Sequence, residues 1–562
     1  MENIKSELKN YLNSQDITDV EPELTVAPEN TGADFSTNLA MKLAGRLHRP
    51  PMEIAADIKS ALDSPAYAIE IATPGFLNFT LNETYWQNAL DFLAQKSFQN
   101  DTHQNQVILT EFSDPNPFKV LHVGHLYTSI VGDAISRLFE NSGGDVKRLN
   151  FGGDVGLHVA KNLYILSQND KAIEELKTAS KARQAEILGA CYVEGTRAYE
   201  DDEIAHQKIT DLNKLIYEIC ASGPEKSYDD PYIARVAKLY WAGREASYAY
   251  FAEFYQMIGL QFDEFIPESS VAGLGKEIVL KHTPETYQES DGAIIFKGED
   301  YGLHTRVFIN KEGIPTYEAK DVGLIFKKEN TYHFDKSIVI TGDEQREYMR
   351  VVMKSVEQYA PELIEKSTHL THGMVKLPGA VKMSSRKGNF IRAIDVIDLI
   401  KTTLKEDYHS DDEKIALGAI KYAFLKSKLG GDIELDIKES VNMTGNSGPY
   451  LQYSAVRAKK ILERTGPKKM PPHRNTSALF EKNIIKRLAN YESVLSEATK
   501  DLVPHKLSNY LYETAQEFNR FYEHCPVAGS ENEAERRQIV EVYLKIITHG
   551  LNLLGIEIPE RM

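Results

Sequence analysis

The sequence predicts an α/β core between a small N-terminal α+β domain and an all-α C-terminal domain. The first observation is a buried strand-like run at residues 107–112, which is followed after a short junction by apolar residues at helical spacing. The second is the return of strand-like runs at 292–296, 306–309 and 337–341. The third is a helical pattern beyond about residue 401. A chain of 562 residues is long enough for three or four domains.

Residues 1–104 form the first predicted domain. We expect residues 34–41 to open an amphipathic helix with leucines on one face, and a second helix to follow the prolines at 50 and 51. Residues 67–71 and 75–79 flank a Thr-Pro-Gly turn and are predicted to be strands. This pattern indicates a separate α+β unit.

The second predicted domain spans residues 105–400 and the third spans 401–562. A long, charged and mostly helical stretch near 165–260 interrupts the α/β rhythm, which indicates an insertion between the two halves of the sheet. Residues 468–477 are rich in Pro, Lys and polar residues, so we interpret them as a linker inside the third domain.

The composition is that of an ordinary globular protein, with 42% hydrophobic and 26% charged residues. The three cysteines are too scattered for a disulfide framework or a CxxC metal site, and small buried hydrophobic residues are their simplest interpretation. No stretch is apolar enough for a signal peptide or a membrane span. We therefore expect a cytoplasmic protein that makes no membrane contact.

The net charge of −17 argues at first against a nucleic-acid partner. Phosphate binding depends on local cations, however, and residues 457–474 contain seven Lys or Arg against the single acidic residue Glu463. This basic stretch fits either an RNA-binding surface or a solvated helix end with its linker. Charge alone does not separate the two interpretations.

The most informative segment is residues 114–125, which joins the strand-like run 107–112 to the following helix. Two histidines, His122 and His125, and Gly124 lie at the predicted helix N-terminus, where free N–H groups and the helix dipole favour an anion. A glycine there lets a nucleotide approach the backbone closely. The alternatives are a capped core helix with two incidental histidines, or a metal-binding pair at positions i and i+3.

A second segment, residues 381–389, combines cations and hydroxyls beside a glycine. In isolation such a run fits a solvated turn, but it also suits a developing pyrophosphate. Its candidate ligands for phosphate are Lys382, Ser384, Ser385, Arg386 and Lys387.

Together, in this order and at this separation, the two segments resemble the HIGH and KMSKS signatures of class I aminoacyl-tRNA synthetases. Further stretches resemble the arginyl-tRNA synthetases within that class, and these stretches are residues 111–117, 315–321, 445–453 and 553–562. The resemblance runs nearly from end to end. It implies an α/β Rossmann-type catalytic core with an N-terminal α+β domain and a C-terminal all-α anticodon-binding domain.

The resemblance also implies roles for the two signatures. His122 and His125 would bind the ATP phosphates beside Gly124, and Lys382 and Arg386 of the second signature would assist catalysis. The other four residues of that signature, Met383, Ser384, Ser385 and Lys387, would contribute to ATP binding. Mg²⁺ would accompany ATP, held largely by phosphate and water, so no dedicated protein metal site is expected.

Two positions depart from the family pattern. Ser385 stands where the second signature usually has a lysine, and Lys119, just before the first signature, is our candidate for the missing charge. The alternative is that Lys119 is a surface lysine without a role. Tyr127 occupies a position at which the family often has arginine, which makes this chain less similar to the commonest bacterial members.

Recognition of arginine requires a carboxylate for the guanidinium group and polar partners for the α-amino and carboxylate groups. By resemblance, Glu111 and Asn116 would flank the backbone end of the substrate. Tyr317 and Asp321, four residues apart on one helix, would line the side-chain pocket, with Asp321 as the guanidinium partner and Gln345 as a further contact. Alternatively, Asp321 is a carboxylate that simply favours the start of its helix.

The tRNA contacts implied by the resemblance lie in both flanking domains. Phe76 and Asn78 are candidates for the tRNA D-loop, although Phe76 also fits a core position and Asn78 a turn. In the C-terminal domain the candidates are Tyr450, Tyr453 and Arg457. Single-stranded RNA bases stack on aromatic residues, but aromatic residues at helical spacing are more often core.

We therefore predict an arginine–tRNA ligase that uses ATP, L-arginine and tRNA(Arg) and is expected to be a monomer. Two alternatives stay open on the sequence. One is a class I synthetase for a different amino acid, against which Asp321 and Glu111 favour a cationic substrate. The other is an inactive paralogue that serves as an RNA-binding protein, which the presence of both signatures disfavours.

Overall fold

The computed structural model describes residues 2–28, 31–62, 64–378, 391–467 and 479–562. The N-terminal domain has one antiparallel sheet of order β1-β2-β4-β3 and four helices. Its strands are β1 (Thr25–Val26), β2 (Phe35–Thr37), β3 (Tyr67–Ala72) and β4 (Phe76–Leu81). Its helices are α1 (Glu2–Ser14), α2 (Leu39–Leu47), α3 (Pro51–Ala61) and α4 (Glu83–Gln95).

The predicted start of the first amphipathic helix was wrong. Residues 35–37 form strand β2, and helix α2 begins only at Leu39. The reason is pairing, because Phe35 lies opposite Phe79 of β4 and its ring is fully buried beside Trp86. Burial of an aromatic residue in a sheet outweighs the local helical pattern.

The central domain contains a five-stranded parallel sheet of order β12-β11-β5-β6-β7. A separate antiparallel sheet of order β10-β9-β8 contains two of the predicted strands, 292–296 and 306–309, which therefore lie outside the parallel sheet. The strands are β5 (Val107–Glu111), β6 (Asp145–Gly152), β7 (Glu264–Pro267), β8 (Gln288–Ser290), β9 (Ala293–Phe296), β10 (Arg306–Ile309), β11 (Lys336–Gly342) and β12 (Ser367–His372).

Helices surround this sheet and also form the predicted insertion. The insertion lies between β6 and β7 and consists of α6 (Leu157–Leu166), α7 (Asp170–Thr178), α8 (Lys181–Asp201), α9 (Glu203–Ser222) and α10 (Pro231–Met257). The other helices of this domain are α5 (Val123–Asn141), α11 (Ser269–Lys281), α12 (Tyr317–Tyr332), α13 (Arg346–Glu357) and α14 (Pro361–Glu365).

The chain order of the parallel sheet creates a switch point between β5 and β11. From β5 the chain moves to β6 and β7 on one side, and later returns to β11 and β12 on the other. Crevices at the carboxyl ends of strands at such a point are where open α/β sheets bind ligands. Helix α5 follows directly after β5 at this crevice.

The C-terminal part is helical, as predicted, apart from the short pair β13 (Val375–Lys376) and β14 (Ile433–Glu434). Its helices are α15 (Ala393–Tyr408), α16 (Glu413–Leu425), α17 (Ile437–Ser440), α18 (Gly448–Thr465), α19 (Leu479–Ala489), α20 (Tyr491–Lys500), α21 (Pro504–His524) and α22 (Glu533–Leu553). The predicted linker at 468–477 lies outside the described residues.

Two predictions from composition can be compared with the fold. Cys191 and Cys525 are buried and Cys220 is half-buried, and all three are free thiols. Among the residues that the structure describes, no helix has the length and apolar character needed to cross a membrane.

Candidate active site

The N-terminus of α5 is built by its two histidines. His122 is the N-cap residue, and its Nδ1 accepts a hydrogen bond from the Gly124 N–H at 3.1 Å. In return, Nδ1 of His125 accepts from the His122 N–H at 3.1 Å, which completes a capping box. The two rings stack with centroids 3.7 Å apart. The capped-helix alternative is thus part of the answer, because the same side chains that start the helix also face the crevice.

Both imidazoles are neutral at physiological pH. Burial and the nearby charge of Lys119 lower the pKa of His122 to about 4. Burial and the neighbouring His122 hold the pKa of His125 well below its usual value. Because Nδ1 of each ring accepts a hydrogen bond, the single ring proton resides on Nε2. A phosphate bound at this helix start could therefore accept hydrogen bonds from two neutral N–H groups, one on each histidine.

Gly124 has a structural requirement in addition to the predicted room for a nucleotide. A Cβ at this position would lie 2.9 Å from Cε1 of the His122 ring. Any larger residue would therefore push the capping histidine away from the helix start. The stacked histidine pair depends on this glycine.

A cavity of about 540 Å³ opens beside the histidines. Four predicted site residues line it together, namely Asn116, Lys119, His122 and His125. The opposite wall comes from α8 of the insertion and from the chain just before α15, with Arg183, Glu186, Tyr192 and Arg392. These four residues were missed by sequence reasoning, because nothing local indicates that α8 packs across the first signature.

The two arginines of this cavity share one carboxylate, Glu186, and each also binds a second, Asp395 for Arg392 and Glu175 for Arg183. Arg392 donates to Glu186 at 2.6 Å, and Arg183 donates to the other oxygen of Glu186 at 3.0 Å. Lys119 has no such carboxylate contact among the described ion pairs, and its Nζ lies 4.5 Å from the Tyr192 ring centroid. The wall therefore has three cations and one carboxylate, which suits an anionic ligand.

The second signature, residues 381–389 with Lys382, Met383, Ser384, Ser385, Arg386 and Lys387, lies outside the described residues. The chain immediately after it is bound to the first signature. Val123 N–H donates to the Ile391 carbonyl at 2.9 Å, and Ala393 N–H donates to the Leu121 carbonyl at 3.0 Å. Residues 391–393, distant in sequence from the first signature, are thus its neighbours in the fold.

A second, acidic region lies on α12 and at the end of β5. Asp321 is 9% exposed and Glu111 is 3% exposed, and both line a small cavity of about 30 Å³. Glu111 forms an ion pair with Lys328, and Tyr348 donates its hydroxyl to Asp321. Burial and then the Glu111 charge raise the pKa of Asp321 well above its usual range. A cation that enters this region would stabilise the ionised carboxylate of Asp321.

Glu268 is a further carboxylate of this region and was missed by sequence reasoning. It follows β7 at the carboxyl edge of the sheet and binds Lys320 with Nζ and Oε2 2.8 Å apart. Burial raises its pKa, against the opposing charge of Lys320. A Cβ on Gly153 would lie 2.6 Å from Asn116 Oδ1 and 3.0 Å from Glu268 Oε1, so these two side chains flank the same glycine. Glu268 could have been suspected, because it ends a strand of the parallel sheet.

The remaining predicted arginine-site residues are less closely assembled. Tyr317 is 53% exposed at the first position of α12, in a concavity shared with Arg306 and Glu318. Burial of its hydroxyl and the Glu268 charge raise its pKa to about 12. Gln345 is exposed in the turn after β11. The structure therefore assembles Glu111 with Asp321, and Asn116 with the histidines, but the five residues do not share one cavity.

The position of α12 is set by its contact with α11. A Cβ on Gly275 of α11 would collide with the Ala319 carbonyl, and a Cβ on Gly323 of α12 would collide with the Val271 carbonyl. The two helices thus touch backbone to backbone at a pair of glycines. This contact places Asp321 close to the end of β7.

The alternative of a metal-binding histidine pair finds no support in the geometry. Nδ1 of each histidine is already occupied by a backbone N–H. Among the described residues, no group of three or more His, Cys, Asp or Glu is arranged to hold a metal ion.

The two tRNA candidates of the N-terminal domain differ in accessibility. Phe76 is 37% exposed at the start of β4, so the core alternative for this residue is wrong. Asn78 is 7% exposed in the middle of β4, between Ser36 and Glu70 on the flanking strands, so it is not a turn residue. Contact of either with RNA stays a prediction.

The C-terminal candidates lie on α18. Tyr453 is 41% exposed. Tyr450 is half-buried, with its hydroxyl accepting from Asn519 at 2.7 Å, and the Arg457 guanidinium lies 4.5 Å from the Tyr522 ring centroid. Other aromatic residues of this region, Tyr510, Phe518 and Phe521, are core, as the more frequent interpretation predicted.

Comparison with known proteins agrees with this architecture. The family described as "tRNA synthetases class I (R), catalytic domain" matches residues 88–436. The "Arginyl tRNA synthetase N terminal domain" matches residues 2–81, and the "DALR anticodon binding domain" matches residues 451–562.

Individual relatives match over nearly their whole length. A protein of Borrelia garinii subsp. bavariensis named arginine–tRNA ligase is 30% identical, with 94% of this chain and 92% of the relative covered. One of Bacteroides thetaiotaomicron with the same name is 26% identical, with 96% of each covered. The solved Thermus thermophilus arginyl-tRNA synthetase shares the fold, with a TM-score of 0.80, 23% identity and full coverage of both chains.

A parallel sheet with a capped histidine pair at its switch point, in this domain order, is the architecture of a class I aminoacyl-tRNA synthetase. Within that class, the chain belongs to the arginyl-tRNA synthetase family. A class I synthetase family for another amino acid, one of the alternatives, is thereby excluded.

Proposed function

We propose that the protein is an arginine–tRNA ligase that joins L-arginine to the 3′ end of tRNA(Arg) and converts ATP into AMP and pyrophosphate. One observation supports this most strongly. A cavity walled by Lys119, Arg183 and Arg392 adjoins the neutral histidines, while the buried carboxylate of Asp321 lies beside Glu111, the last residue of β5. The two regions match the phosphates of ATP and the guanidinium of arginine.

In the proposed reaction the arginine carboxylate attacks the α-phosphorus of ATP, and pyrophosphate leaves. A hydroxyl at the 3′ end of tRNA(Arg) then attacks the carbonyl carbon of the arginyl-adenylate, and AMP leaves. The protein contributes mainly by positioning and by stabilising charge on the phosphate oxygens. Nε2–H of His122 and of His125 would donate to those oxygens, and Lys119 would add a positive charge. Mg²⁺ would enter on the triphosphate, since it prefers phosphate oxygens and water.

Arginine would be held by its two ends. Asp321 and Glu268 would face the guanidinium, and Asn116 and Glu111 would face the α-amino and carboxylate groups. Because Glu111 is already paired with Lys328, its role would require that pair to rearrange or to be shared. Tyr317 and Gln345 would complete the pocket.

The experiment that tests the proposal is a charging assay with each of the twenty standard amino acids and total tRNA. Arginine alone should become attached to RNA, and only in the presence of ATP. Charging of a different amino acid would overturn the substrate. Binding of tRNA without any charging would favour the inactive RNA-binding paralogue.

We further propose that tRNA(Arg) must bind before arginine is activated. The tRNA can promote activation only if it binds the active arrangement better than the inactive one. Arginine-dependent exchange of pyrophosphate into ATP should be negligible until tRNA(Arg) is added. Removal of residues 1–104 should weaken tRNA binding and leave ATP binding unchanged. Brisk exchange without RNA would contradict this order.

Two further expectations concern the state of the protein. We propose that it acts as a monomer in the cytoplasm. Its molar mass in solution, measured by light scattering, should be close to 63.4 kDa. A mass of twice that value would contradict the monomer.

A further inference from the structure

The C-terminal end of α4 is capped by a lysine from another domain. Nζ of Lys545, on α22, donates to the carbonyl oxygens of Leu93 at 3.4 Å, Ala94 at 3.0 Å and Lys96 at 2.6 Å. The last carbonyls of a helix have no partner within the helix, and they carry the negative end of its dipole. A lysine that reaches them from α22 therefore stabilises the end of α4 and joins two domains.

Two further side-chain contacts join the same elements. Gln538 of α22 donates to Asp91 of α4 at 2.8 Å. Lys96, the C-cap residue of α4, forms an ion pair with Glu492 of α20 at 2.6 Å. The second pair is partly exposed, so its own contribution is small. Together with Lys545, these contacts tie the C-terminal half of α4 to the C-terminal helices.

The chain that leaves α4 is held by the same C-terminal helices and by α5. The Phe98 ring packs edge-on against Tyr491 with centroids 4.9 Å apart. Asn141, at the end of α5, donates to the Phe98 carbonyl at 3.0 Å, and its Oδ1 lies 2.9 Å from Nε2 of His549 on α22. Phe98 thus anchors the connection between the first two domains against α5 and the C-terminal helices.

We propose that Lys545 is a positioning residue that fixes the N-terminal domain on the C-terminal helical domain, so that the two act as one rigid tRNA-binding body. The inference rests on the proposed function, because tRNA is the ligand that would span both domains. Two sites on one rigid body bind a single ligand with a high effective concentration, and a loose connection between them lowers it. The residue would act through geometry, without touching the RNA.

The first test measures how strongly the two domains cooperate on tRNA. Lys545→Met keeps the length of the side chain and removes its charge and donors. We expect it to weaken tRNA(Arg) binding by about tenfold, a small part of the roughly 10²–10⁴ that linked sites can provide. Lys545→Arg, which keeps a cationic donor, should restore most of the affinity. Lys500→Met, the same change at an exposed position of α20, should leave it unchanged.

A double-mutant cycle with Phe76→Ala separates positioning from simple loss of charge. Phe76→Ala should cost clearly less affinity in the Lys545→Met background than in the wild-type protein, because the N-terminal domain is then no longer held in register. Equal costs in the two backgrounds would overturn the inference.

The second test needs no RNA. Hydrogen exchange of the backbone amides in the last turn of α4 and in residues 96–98 should accelerate in Lys545→Met, while exchange in α5 stays unchanged near its N-terminus. If Lys545→Met does not fold, Glu492→Gln offers a milder break and should give a smaller acceleration in the same segment. Unchanged exchange in both variants would overturn the inference. This readout does not depend on charging. A protein that failed to aminoacylate tRNA would therefore refute the proposed function, while the exchange data would still decide the positioning role of Lys545.

Discussion

The two halves of the candidate active site differ in charge and in openness. At the start of α5, Lys119, Arg183 and Arg392 surround a cavity of about 540 Å³ with Glu186 as the one carboxylate among its lining residues. Around Asp321, a cavity of only about 30 Å³ is lined by two carboxylates, Asp321 and Glu111, beside Lys328. The half at the start of α5 therefore suits a large anion, and the half around Asp321 suits a compact cation.

Burial has opposite consequences in the two halves. At the histidines it removes positive charge, because it lowers the pKa of His122 to about 4 and leaves neutral donors. At Asp321 it raises the pKa and makes the ionised carboxylate costly until a cation arrives. The same physical effect thus prepares one half to donate hydrogen bonds and the other to bind charge.

Asp321→Asn should produce the largest effect, and it acts on the acidic half alone. The change keeps the shape but removes the ionic partner of guanidinium, so arginine binding should weaken by about 2–5 kcal/mol. The KM for arginine and calorimetric titration with arginine measure this. ATP binding should be unaffected. An unchanged KM for arginine would remove Asp321 from the proposed role.

His125→Ala tests the cationic half. Loss of one preorganised donor to the phosphate should lower the rate of activation by about 10²–10³. The rate of arginine-dependent exchange, with tRNA(Arg) present, measures it. His206→Ala, at an exposed position of α9, is the matched control and should be silent. Near-normal turnover of His125→Ala would leave this histidine with a capping role only.

Gly124→Ala should give a smaller effect, because both histidines stay in the chain. The new Cβ would displace the His122 ring, at a cost of about 1–3 kcal/mol in stability. Activation should fall by less than in His125→Ala, while the KM for arginine is unchanged. Thermal unfolding and the exchange rate measure the two quantities. A variant with wild-type stability and rate would show that the stacked pair adapts.

The smallest effect concerns pH. Burial, with the charge of Arg346, lowers the pKa of His369, which lines the acidic cavity, to about 4. Between pH 6.5 and 4 the unfolded chain therefore binds a proton at this histidine, whereas the folded protein does not. The contribution to the free energy of unfolding is complete above pH 6.5 and decreases as the pH falls through this window. One pH unit below the unfolded-state pKa, the loss is about 1 kcal/mol. Urea unfolding of His369→Gln should show a shallower pH dependence, and an unaltered slope would contradict the assignment.

Local pattern was enough for the parts of the fold that are locally determined. The strand β5 and the helix α5 were predicted, and a capped helix start was among the alternatives, because apolar spacing and N-cap chemistry belong to a short stretch of chain. Residues 35–37 were predicted wrongly, since their pairing partner β4 is some forty residues away. The strand at 292–296 was predicted without its neighbours, β8 and β10, for the same reason.

The residues of the candidate site show the same difference between local and distant contacts. His122, His125 and Asn116 come from one short segment of chain, and the structure places all three at one cavity, although the sequence assigned Asn116 to arginine and the histidines to ATP. Tyr192 and Glu268 come from an insertion helix and from the end of β7, and no periodicity indicates their approach to that turn. The contacts of Lys545 with α4 join residues roughly 450 positions apart, which no pattern in a single sequence reveals.

The glycine contact between α11 and α12 has a consequence for the evolution of this pocket. Gly275 and Gly323 determine how near the Asp321 helix comes to the end of β7, although neither touches the predicted arginine site. In a library that varies every position, we expect these two to accept as few replacements as Asp321 itself. A lineage that exchanged its amino-acid substrate would therefore have to move a helix as well as change the residues that meet the ligand.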